Sequence, residues 1–411
     1  MQKIVRNKTV KNKNKSKTDK EKNLLKEKEE KKNKKNDLFA YDKKEFKEHK
    51  KMYIIIFACL GGLFLLSLIF MIVDVATGNV ITNNPSTHQD GWPKQVFAPY
   101  ADMTGWVPLT NSYSVNGVAD LGKVSEETGM QYFNLGFIQP DATTPTDNDG
   151  NIRWCWGGYA SISENGSDAF QYAGIKYVLE DIRKKGGDYC ISFGGQAGKA
   201  PWVVSNSVEK LLNMYLDVIN TYDCKRIDLD IEESNQGEAE NRINAKAVKM
   251  AQDKTGVSVT LTIPIMPYGW EEKQIKLIRA YLDAGVDIDL INSMTMCYGA
   301  GLYEGEDYGD ASVRAITNSI KQMKEIFSNY GINLTTAQAY AKTGATVALG
   351  YEGTLYPTFT TAMTQKVVDD ANKNNYGMLS YWSINRDALM ESNRGITTLY
   401  QFYNVTKEYP A

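Results

Sequence analysis

The sequence predicts an α/β fold, a (β/α)8 TIM barrel over residues 96–411, preceded by a cytoplasmic basic tail and a single transmembrane helix. Eight apolar, β-branched or aromatic runs alternate with helical apolar patterns over about 300 residues, as in such a barrel. One of these runs, Arg226–Ile231, also alternates acidic with aliphatic side chains. A doubly wound open sheet is the alternative, but no G-x-G-x-x-G turn follows the first run, which removes the commonest ligand signature of that fold.

The composition excludes several classes of protein. Hydrophobic residues are 42% of the 411 residues and charged residues 23%, which is ordinary for a globular protein. Five cysteines are too few for a disulfide scaffold, and two histidines exclude most zinc chemistry. We therefore expect neither a cofactor nor a metal site.

The N-terminal tail, residues 1–51, is strongly basic. It holds 20 Lys/Arg and 9 Asp/Glu, a balance of +11, whereas the whole chain has a net charge of -2. The tail is rich in Lys, Glu and Asn with few aromatic residues, which predicts disorder or a loose helix. No nucleic-acid-binding motif accompanies the charge, so we expect attraction to anionic lipid rather than to nucleic acid.

Residues 52–74 are predicted to form the membrane span. Met52–Val73 contains 22 residues without a charge, enough to cross a bilayer as a helix. A buried soluble helix would keep a polar stripe, and a cleavable signal peptide would be shorter and end at a small-residue site. Lysines crowd the N-terminal side of the span, so the positive-inside rule predicts a cytoplasmic N terminus and an extracellular C-terminal part.

Residues 75–95 read as a linker because Asn, Pro, Ser and Thr occur there without an apolar period. Beyond it, the strands of the barrel are predicted at Val96–Met103, Tyr132–Ile138, Tyr189–Phe193, Arg226–Ile231, Ser258–Ile265, Leu290–Met296, Thr336–Ala341 and Gly377–Trp382. The helices are predicted at Ala173–Lys185, Val208–Thr221, Gln274–Ala284, Ser312–Ser328 and Thr361–Asn372.

The strand Arg226–Ile231 carries the strongest indication of function. Side chains alternate faces along a strand, so Asp228, Asp230 and Glu232 point to one side and the aliphatic residues to the other. In a barrel the acids then point inward, where burial and mutual repulsion raise at least one pKa. Glu232 comes last, at the end of the strand where barrel active sites lie, and a carboxyl that stays protonated near neutral pH is a general acid. A solvent-facing edge strand and a hard-cation site are the rival interpretations.

This D-x-D-x-E strand resembles the signature of glycoside hydrolase family 18, the family of chitinases and endo-β-N-acetylglucosaminidases. Three further motifs follow the family's order: Ser192-Phe193-Gly194-Gly195, Met296-Cys297-Tyr298, and the segment from Ser380 to Asp387 that contains Trp382. The similarity covers residues 95–405 and is nearest to the bacterial chitinase branch.

The resemblance implies a substrate-assisted, retaining mechanism, in which the acetamido oxygen of N-acetylglucosamine is the nucleophile. It implies that Glu232 is the general acid and base, that Asp230 orients the acetamido group, and that Asp228 shares a proton with Asp230. Tyr298 would donate a hydrogen bond to the acetamido oxygen, and Trp382 would form the floor under the sugar.

Further substrate-binding candidates are Met296, Tyr268 and Trp156. Trp156, with its neighbours Trp154 and Tyr159, could either stack on sugars or cap the barrel. Ser192 and the glycines after it are expected to be structural.

The chain also departs from the family pattern. Lys225-Arg226 stands where an Asp-Gly pair is common, and the motif tyrosine is flanked by Cys297 and Gly299 rather than by an acid. Cys155, Cys190 and Cys224 are spread with Cys297 over the barrel, which predicts free buried thiols.

The function predicted is that of a membrane-anchored, endo-acting, chitinase-like hydrolase of β-1,4-linked N-acetylglucosamine glycans, displayed outside the cell. The alternative is a non-catalytic, lectin-like barrel that binds such glycans. The retention of Asp228, Asp230 and Glu232 together favours the hydrolase.

Overall fold

The structure is a computed structural model, and it describes residues 90–299 and 301–410. The predicted tail 1–51, the predicted span 52–74 and the linker as far as residue 89 lie outside the described residues. In the part that is described, no helix combines the length and apolar character needed to cross a bilayer.

The strands of the described part are β1 (Val96–Phe97), β2 (Tyr100–Asp102), β3 (Ser114–Val115), β4 (Val118–Ala119), β5 (Tyr132–Pro140), β6 (Trp154–Trp156), β7 (Asp188–Gly194), β8 (Arg226–Asp230), β9 (Ser258–Pro264), β10 (Ile288–Met294), β11 (Thr343–Ala348) and β12 (Met378–Trp382). The helices are α1 (Leu121–Thr128), α2 (Ala169–Lys184), α3 (Pro201–Val204), α4 (Val208–Tyr222), α5 (Glu238–Thr255), α6 (Glu272–Asp283), α7 (Tyr308–Ser328), α8 (Thr336–Ala341), α9 (Thr361–Asn374), α10 (Ile384–Ala388) and α11 (Tyr403–Thr406).

The main sheet is a closed parallel barrel. Its strands follow the order β1, β12, β11, β10, β9, β8, β7, β5 and β2, and β2 also pairs with β12. Because β1 and β2 both lie beside β12, they share one position, and the barrel has eight positions. The predicted (β/α)8 barrel is confirmed, and each of the five predicted helices coincides with α2, α4, α6, α7 or α9.

The first predicted strand, Val96–Met103, is divided in two. Pro99 lies between β1 and β2 and has no N–H to donate to a neighbouring strand. Its carbonyl oxygen still accepts a hydrogen bond from the backbone of Asn134 at 2.9 Å, which keeps the chain against β5.

The prediction of a seventh strand at Thr336–Ala341 is wrong, because these residues form helix α8. The strand at this position of the barrel is β11, which begins at Thr343. The Thr335 hydroxyl accepts from the backbone N–H of Gln338, while the Gln338 side chain accepts from the backbone N–H of Thr335. This reciprocal cap starts a helix irrespective of the apolar pattern that follows it.

Helix α5 was not predicted, although it has 18 residues. Its buried face combines small apolar residues, such as Ala245, Val248 and Ala251, with Asn241 and Asn244. The Tyr215 hydroxyl donates to Asn244 at 2.9 Å, Asn244 donates to the Tyr281 hydroxyl at 2.8 Å, and that hydroxyl donates to Asn241 at 3.1 Å. The hydrogen-bonded asparagines therefore interrupt the apolar period from which a helix is recognised.

Arg226, one of the departures from the family pattern, closes the barrel at the N-terminal end of its strands. Its buried guanidinium lies 2.8 Å from the Asp90 carboxylate and 2.6 Å from that of Asp289. The Trp92 ring lies 5.1 Å from the guanidinium carbon. The described chain thus enters the barrel at the end opposite to Glu232.

The side chains of strand β8 alternate between the core and the barrel interior, as predicted. Ile227, Leu229 and Ile231 are fully buried in the hydrophobic core, and the side chain of Asp228 reaches across the barrel interior. At the end of β7, a Cβ on Gly194 would lie 2.2 Å from the Asp230 carbonyl oxygen, and its φ is +106°. Only glycine permits this close approach of β7 to the acidic strand.

Candidate active site

A cavity of about 300 Å³ opens at the C-terminal ends of the barrel strands. Asp230 and Glu232 line it, whereas Asp228 is fully buried beneath them. The two-residue period of strand β8 thus arranges the three carboxylates in depth, from the barrel interior to the cavity.

Asp228 is held by three hydroxyl donors from three other strands. Ser192 donates at 2.6 Å and Tyr100 at 2.9 Å to one carboxylate oxygen, and Thr262 donates at 2.7 Å to the other. Burial raises the pKa of Asp228 to about 6, and the three hydrogen bonds, together with the positive charge of Arg226, oppose that rise. Ser192, expected to be only structural, is therefore part of the site.

Asp230 lies between the other two acids in a less polar environment. One of its carboxyl oxygens, Oδ1, has no hydrogen-bond partner among the described residues. Burial raises the pKa of Asp230 well above its ordinary value, and the nearby carboxylates of Glu232 and Asp228 raise it further. Burial and the two neighbouring carboxylates thus favour the protonated form of Asp230.

Glu232 presents the carboxyl group at the cavity. Its backbone is extended, with φ -131° and ψ 171°, so the side chain continues the inward alternation beyond the end of β8. Burial raises the pKa of Glu232 to about 7, and the charge of Glu233 adds to the effect. A carboxyl that is half protonated near neutral pH can both donate and accept a proton, as a general acid and base must.

An aromatic surface forms one side of the cavity. The Trp382 ring stacks on Phe137, with ring centroids 5.6 Å apart and planes 23° apart, and it lies 6.2 Å from the Tyr100 ring. All three aromatic residues line the cavity. A flat apolar face beside the carboxyl groups suits the apolar face of a sugar ring. Met296 lines the same cavity.

The structure does not bring Tyr298 to the lining of the cavity, so its role toward the acetamido group stays a prediction. The side chain is 5% exposed, and its hydroxyl donates to Ser312 at 3.1 Å in the core. Strand β10 ends at Met294 and Cys297 adopts φ +51°, which breaks the alternation of faces. Cys297 consequently lines the cavity in place of the tyrosine.

Trp156 does not line the cavity either, because it is only 1% exposed and its indole N–H donates to the Tyr222 hydroxyl at 2.9 Å. It belongs to β6, which pairs with the rim of β5, so the capping alternative applies to this residue. Tyr268 is 52% exposed and bonds Glu271 at 2.8 Å. It follows Met266, which lines the cavity, but is not itself part of the lining.

Sequence reasoning missed an ion pair on the cavity wall. The Arg386 guanidinium contacts the Glu352 carboxylate and lies 6.0 Å from the Trp382 ring centroid. Tyr356 and Gln196 also line the cavity. The signal for Arg386 was present, since it stands in the same motif as Trp382, whereas Glu352 lies in a loop without a motif.

The four cysteines of the described part are unpaired, as predicted, and Cys297 alone among them is partly exposed. In the described ranges, no group of three or more His, Cys, Asp or Glu residues is arranged to hold a metal ion.

Two relatives are similar to this chain in sequence. A probable bifunctional chitinase/lysozyme of Escherichia coli is 30% identical over 340 residues, which are 78% of this chain and 34% of that protein. Endochitinase 11 of Metarhizium anisopliae is 29% identical over 317 residues, 73% of this chain and 54% of that protein. The chain therefore matches about a third to a half of the length of these relatives.

The barrel is also similar to a solved structure, the catalytic domain of a hyperthermophilic chitinase from Pyrococcus furiosus. The TM-score is 0.61 at 23% identity, over 77% of this chain and 95% of that one. No protein-family model matches the chain. The solved structure supports the barrel fold. In sequence, the chain is similar to a probable bifunctional chitinase/lysozyme and to an endochitinase over most of its own length.

Proposed function

We propose that this protein is an endo-acting, chitinase-like hydrolase that cleaves β-1,4-linked N-acetylglucosamine glycans with retention of configuration. The observation that carries the proposal is the Glu232 carboxyl group. It lines the cavity, burial raises its pKa to about 7, and an aromatic surface lies in the same cavity.

In the proposed mechanism, Glu232 donates its proton to the glycosidic oxygen as the bond to the anomeric carbon breaks. The acetamido oxygen of the same sugar forms a bond to that carbon, so the protein supplies no nucleophile. Asp230, protonated or negatively charged according to the position of the shared proton, orients the acetamido N–H. Glu232 then takes a proton from a water molecule whose oxygen bonds to the anomeric carbon. The bond between that carbon and the acetamido oxygen breaks, and the acid form of Glu232 is restored.

The test is hydrolysis of chitooligosaccharides by the full-length chain and by its Glu232→Gln variant. Glutamine keeps the shape of the side chain but cannot donate the proton, so kcat is expected to fall by about 10²-fold or more. The exposed Glu164 provides the matched control, because Glu164→Gln removes a carboxyl without touching the cavity.

The outcome also distinguishes the rival function. Cleavage by the parent with initial release of the retained anomer, and its loss in Glu232→Gln, would support the hydrolase. If the parent and Glu232→Gln bind the oligosaccharides with equal affinity and neither cleaves them, the chain is a lectin-like binder instead.

We further propose that the protein is held in the cell membrane by residues 52–74, with residues 1–51 in the cytoplasm and the barrel outside. The support is the uncharged segment Met52–Val73 and the lysines that precede it. Protease treatment of intact cells should remove the barrel and leave the tail protected. Release of the barrel into the medium without protease would contradict the anchor.

A further inference from the structure

Beneath the carboxylates, a buried amide contacts the hydroxyls that hold Asp228. Asn292 of strand β10 is fully buried, and its Nδ2 donates to the Tyr100 hydroxyl at 3.2 Å and to the Thr262 hydroxyl at 3.0 Å. These two hydroxyls are the ones that donate to Asp228 at 2.9 and 2.7 Å. One amide group thus lies behind two of the three hydrogen bonds to Asp228.

The orientation of this amide is set by strand β11. The Thr346 hydroxyl donates to Oδ1 of Asn292 at 2.9 Å, which leaves Nδ2 facing the two hydroxyls. Gly344 makes room for the amide, since a Cβ at that position would lie 2.8 Å from the same Oδ1. The strand therefore provides both a partner and a space for Asn292.

The direction of these hydrogen bonds follows from the number of protons available. Each hydroxyl carries one proton, and an oxygen that accepts an amide N–H is free to direct its own proton elsewhere. The Tyr100 and Thr262 oxygens are 2.8 Å apart, so they could otherwise bond each other instead of Asp228. With Nδ2 donating to both, their protons are directed onto the carboxylate. Bonds that run in one direction polarise one another, and the effect is largest in a dry interior.

We propose that Asn292 is a positioning residue, which orients the hydroxyl protons of Tyr100 and Thr262 onto Asp228 and so keeps that carboxylate ionised. The inference rests on the function proposed above, because the proton that it concerns is the one shared by the acids in that mechanism. It places this proton on Asp230 rather than on Asp228. Asn292 acts through the two hydroxyls and has no place in the lining of the cavity.

The first test is the pH dependence of kcat on chitooligosaccharides for the full-length Asn292→Leu variant. Without the amide, Asp228 binds a proton more readily, so the acid limb of the profile should move to higher pH by about half a unit to one unit. At pH 8, where Asp228 is ionised in either protein, kcat should stay within about twofold of the parent. KM should change little, because the substrate does not contact Asn292.

Asn134 provides the matched control. It is also a buried asparagine of a barrel strand, but its Nδ2 donates to the carbonyl oxygen of Ala98 at 2.8 Å, away from Asp228. The acid limb of the kcat profile should therefore lie at the same pH in Asn134→Leu as in the parent, even if this substitution lowers stability. An equal fall of kcat at every pH in Asn292→Leu, or the same shift in both variants, would overturn the inference.

Thr346 gives a graded second test. Thr346→Val removes the hydroxyl that orients the amide and should shift the acid limb in the same direction by a smaller amount. Thr346→Ser keeps that hydroxyl and should lie closer to the parent than Thr346→Val. A larger shift for serine than for valine would contradict the proposed role.

A readout without catalysis separates this inference from the proposed function. The Asp228 carboxyl can be titrated by NMR in the full-length chain labelled with ¹³C-aspartate, and Asp228→Asn identifies its resonance. If the parent does not cleave the glycan but Asn292→Leu raises the pKa of Asp228, the hydrolase is refuted and the positioning role is supported. If the Asp228 titration is unchanged in Asn292→Leu, the positioning role is refuted whatever the activity.

Discussion

Replacing Glu232 by glutamine is expected to stabilise the folded barrel at pH 8 and to leave its stability nearly unchanged at pH 4. In the unfolded chain Glu232 ionises with its ordinary pKa of 4.5, whereas in the folded protein burial raises the pKa to about 7. The folded state therefore binds the proton more tightly, and stability falls as pH rises between these two values. The amide of glutamine is neutral at every pH and avoids that loss.

The magnitude follows from the same two pKa values. Between 4.5 and about 7, at about 1.36 kcal/mol per pKa unit, the ionised Glu232 disfavours folding by about 3 kcal/mol above pH 7. Below pH 4.5 the carboxyl is protonated in both states and this contribution is absent.

The assay is chemical denaturation of the parent and Glu232→Gln at pH 4 and pH 8, with the exposed Glu164→Gln as control. The free energy of unfolding should be higher for Glu232→Gln than for the parent only at pH 8. The control should show no increase at either pH. A loss of stability at pH 8, or an equal change at both pH values, would refute the reasoning that Glu232 is held in an unfavourable environment for its charge.

Three other substitutions test the site and the frame around it. Trp382→Ala should raise KM for chitooligosaccharides about tenfold, because an aromatic contact of about 1.4 kcal/mol is lost; an unchanged KM would remove it from the binding surface. Tyr298→Phe should lower the free energy of unfolding by about 1 kcal/mol through the lost hydrogen bond to Ser312, and leave kcat within twofold. A large fall in kcat would instead support the catalytic role predicted for Tyr298. Asp90→Ala should destabilise the barrel by about 3 kcal/mol in denaturation, since it leaves the buried Arg226 with one carboxylate fewer; a change below about 0.5 kcal/mol would show that this ion pair is dispensable.

Much of the fold could be predicted because its signals are local. The strands of the barrel are short apolar runs, and the five predicted helices that surround it carry an apolar face against the core. The failures are local as well. The buried face of α5 mixes asparagines with small apolar residues, and the capping residues Thr335 and Gln338 override the apolar pattern of α8. Short segments are decided by capping and packing partners more than by their own periodicity.

In the site, too, some side-chain directions could be predicted from the sequence and others could not. The inward direction of Asp228, Asp230 and Glu232 follows from the two-residue period of one strand, which any stretch of extended chain obeys. Past the end of a strand the period holds only while the backbone stays extended, as it does at Glu232. Cys297 adopts φ +51°, so Tyr298 turns into the core and Cys297 lines the cavity.

By itself, the sequence determined that three acids lie on one face of a buried strand and that this strand belongs to a parallel barrel. Only the tertiary structure decided which acid is exposed to a substrate and which is held in the interior by Ser192, Tyr100 and Thr262. Ser192 and Thr262 come from β7 and β9, the two strands that pair with β8. Closure of the barrel brings Tyr100 of β2 to the same carboxylate. The depth of burial and the hydrogen bonds made there set each pKa, so the chemistry of identical side chains is decided by packing over long sequence distances.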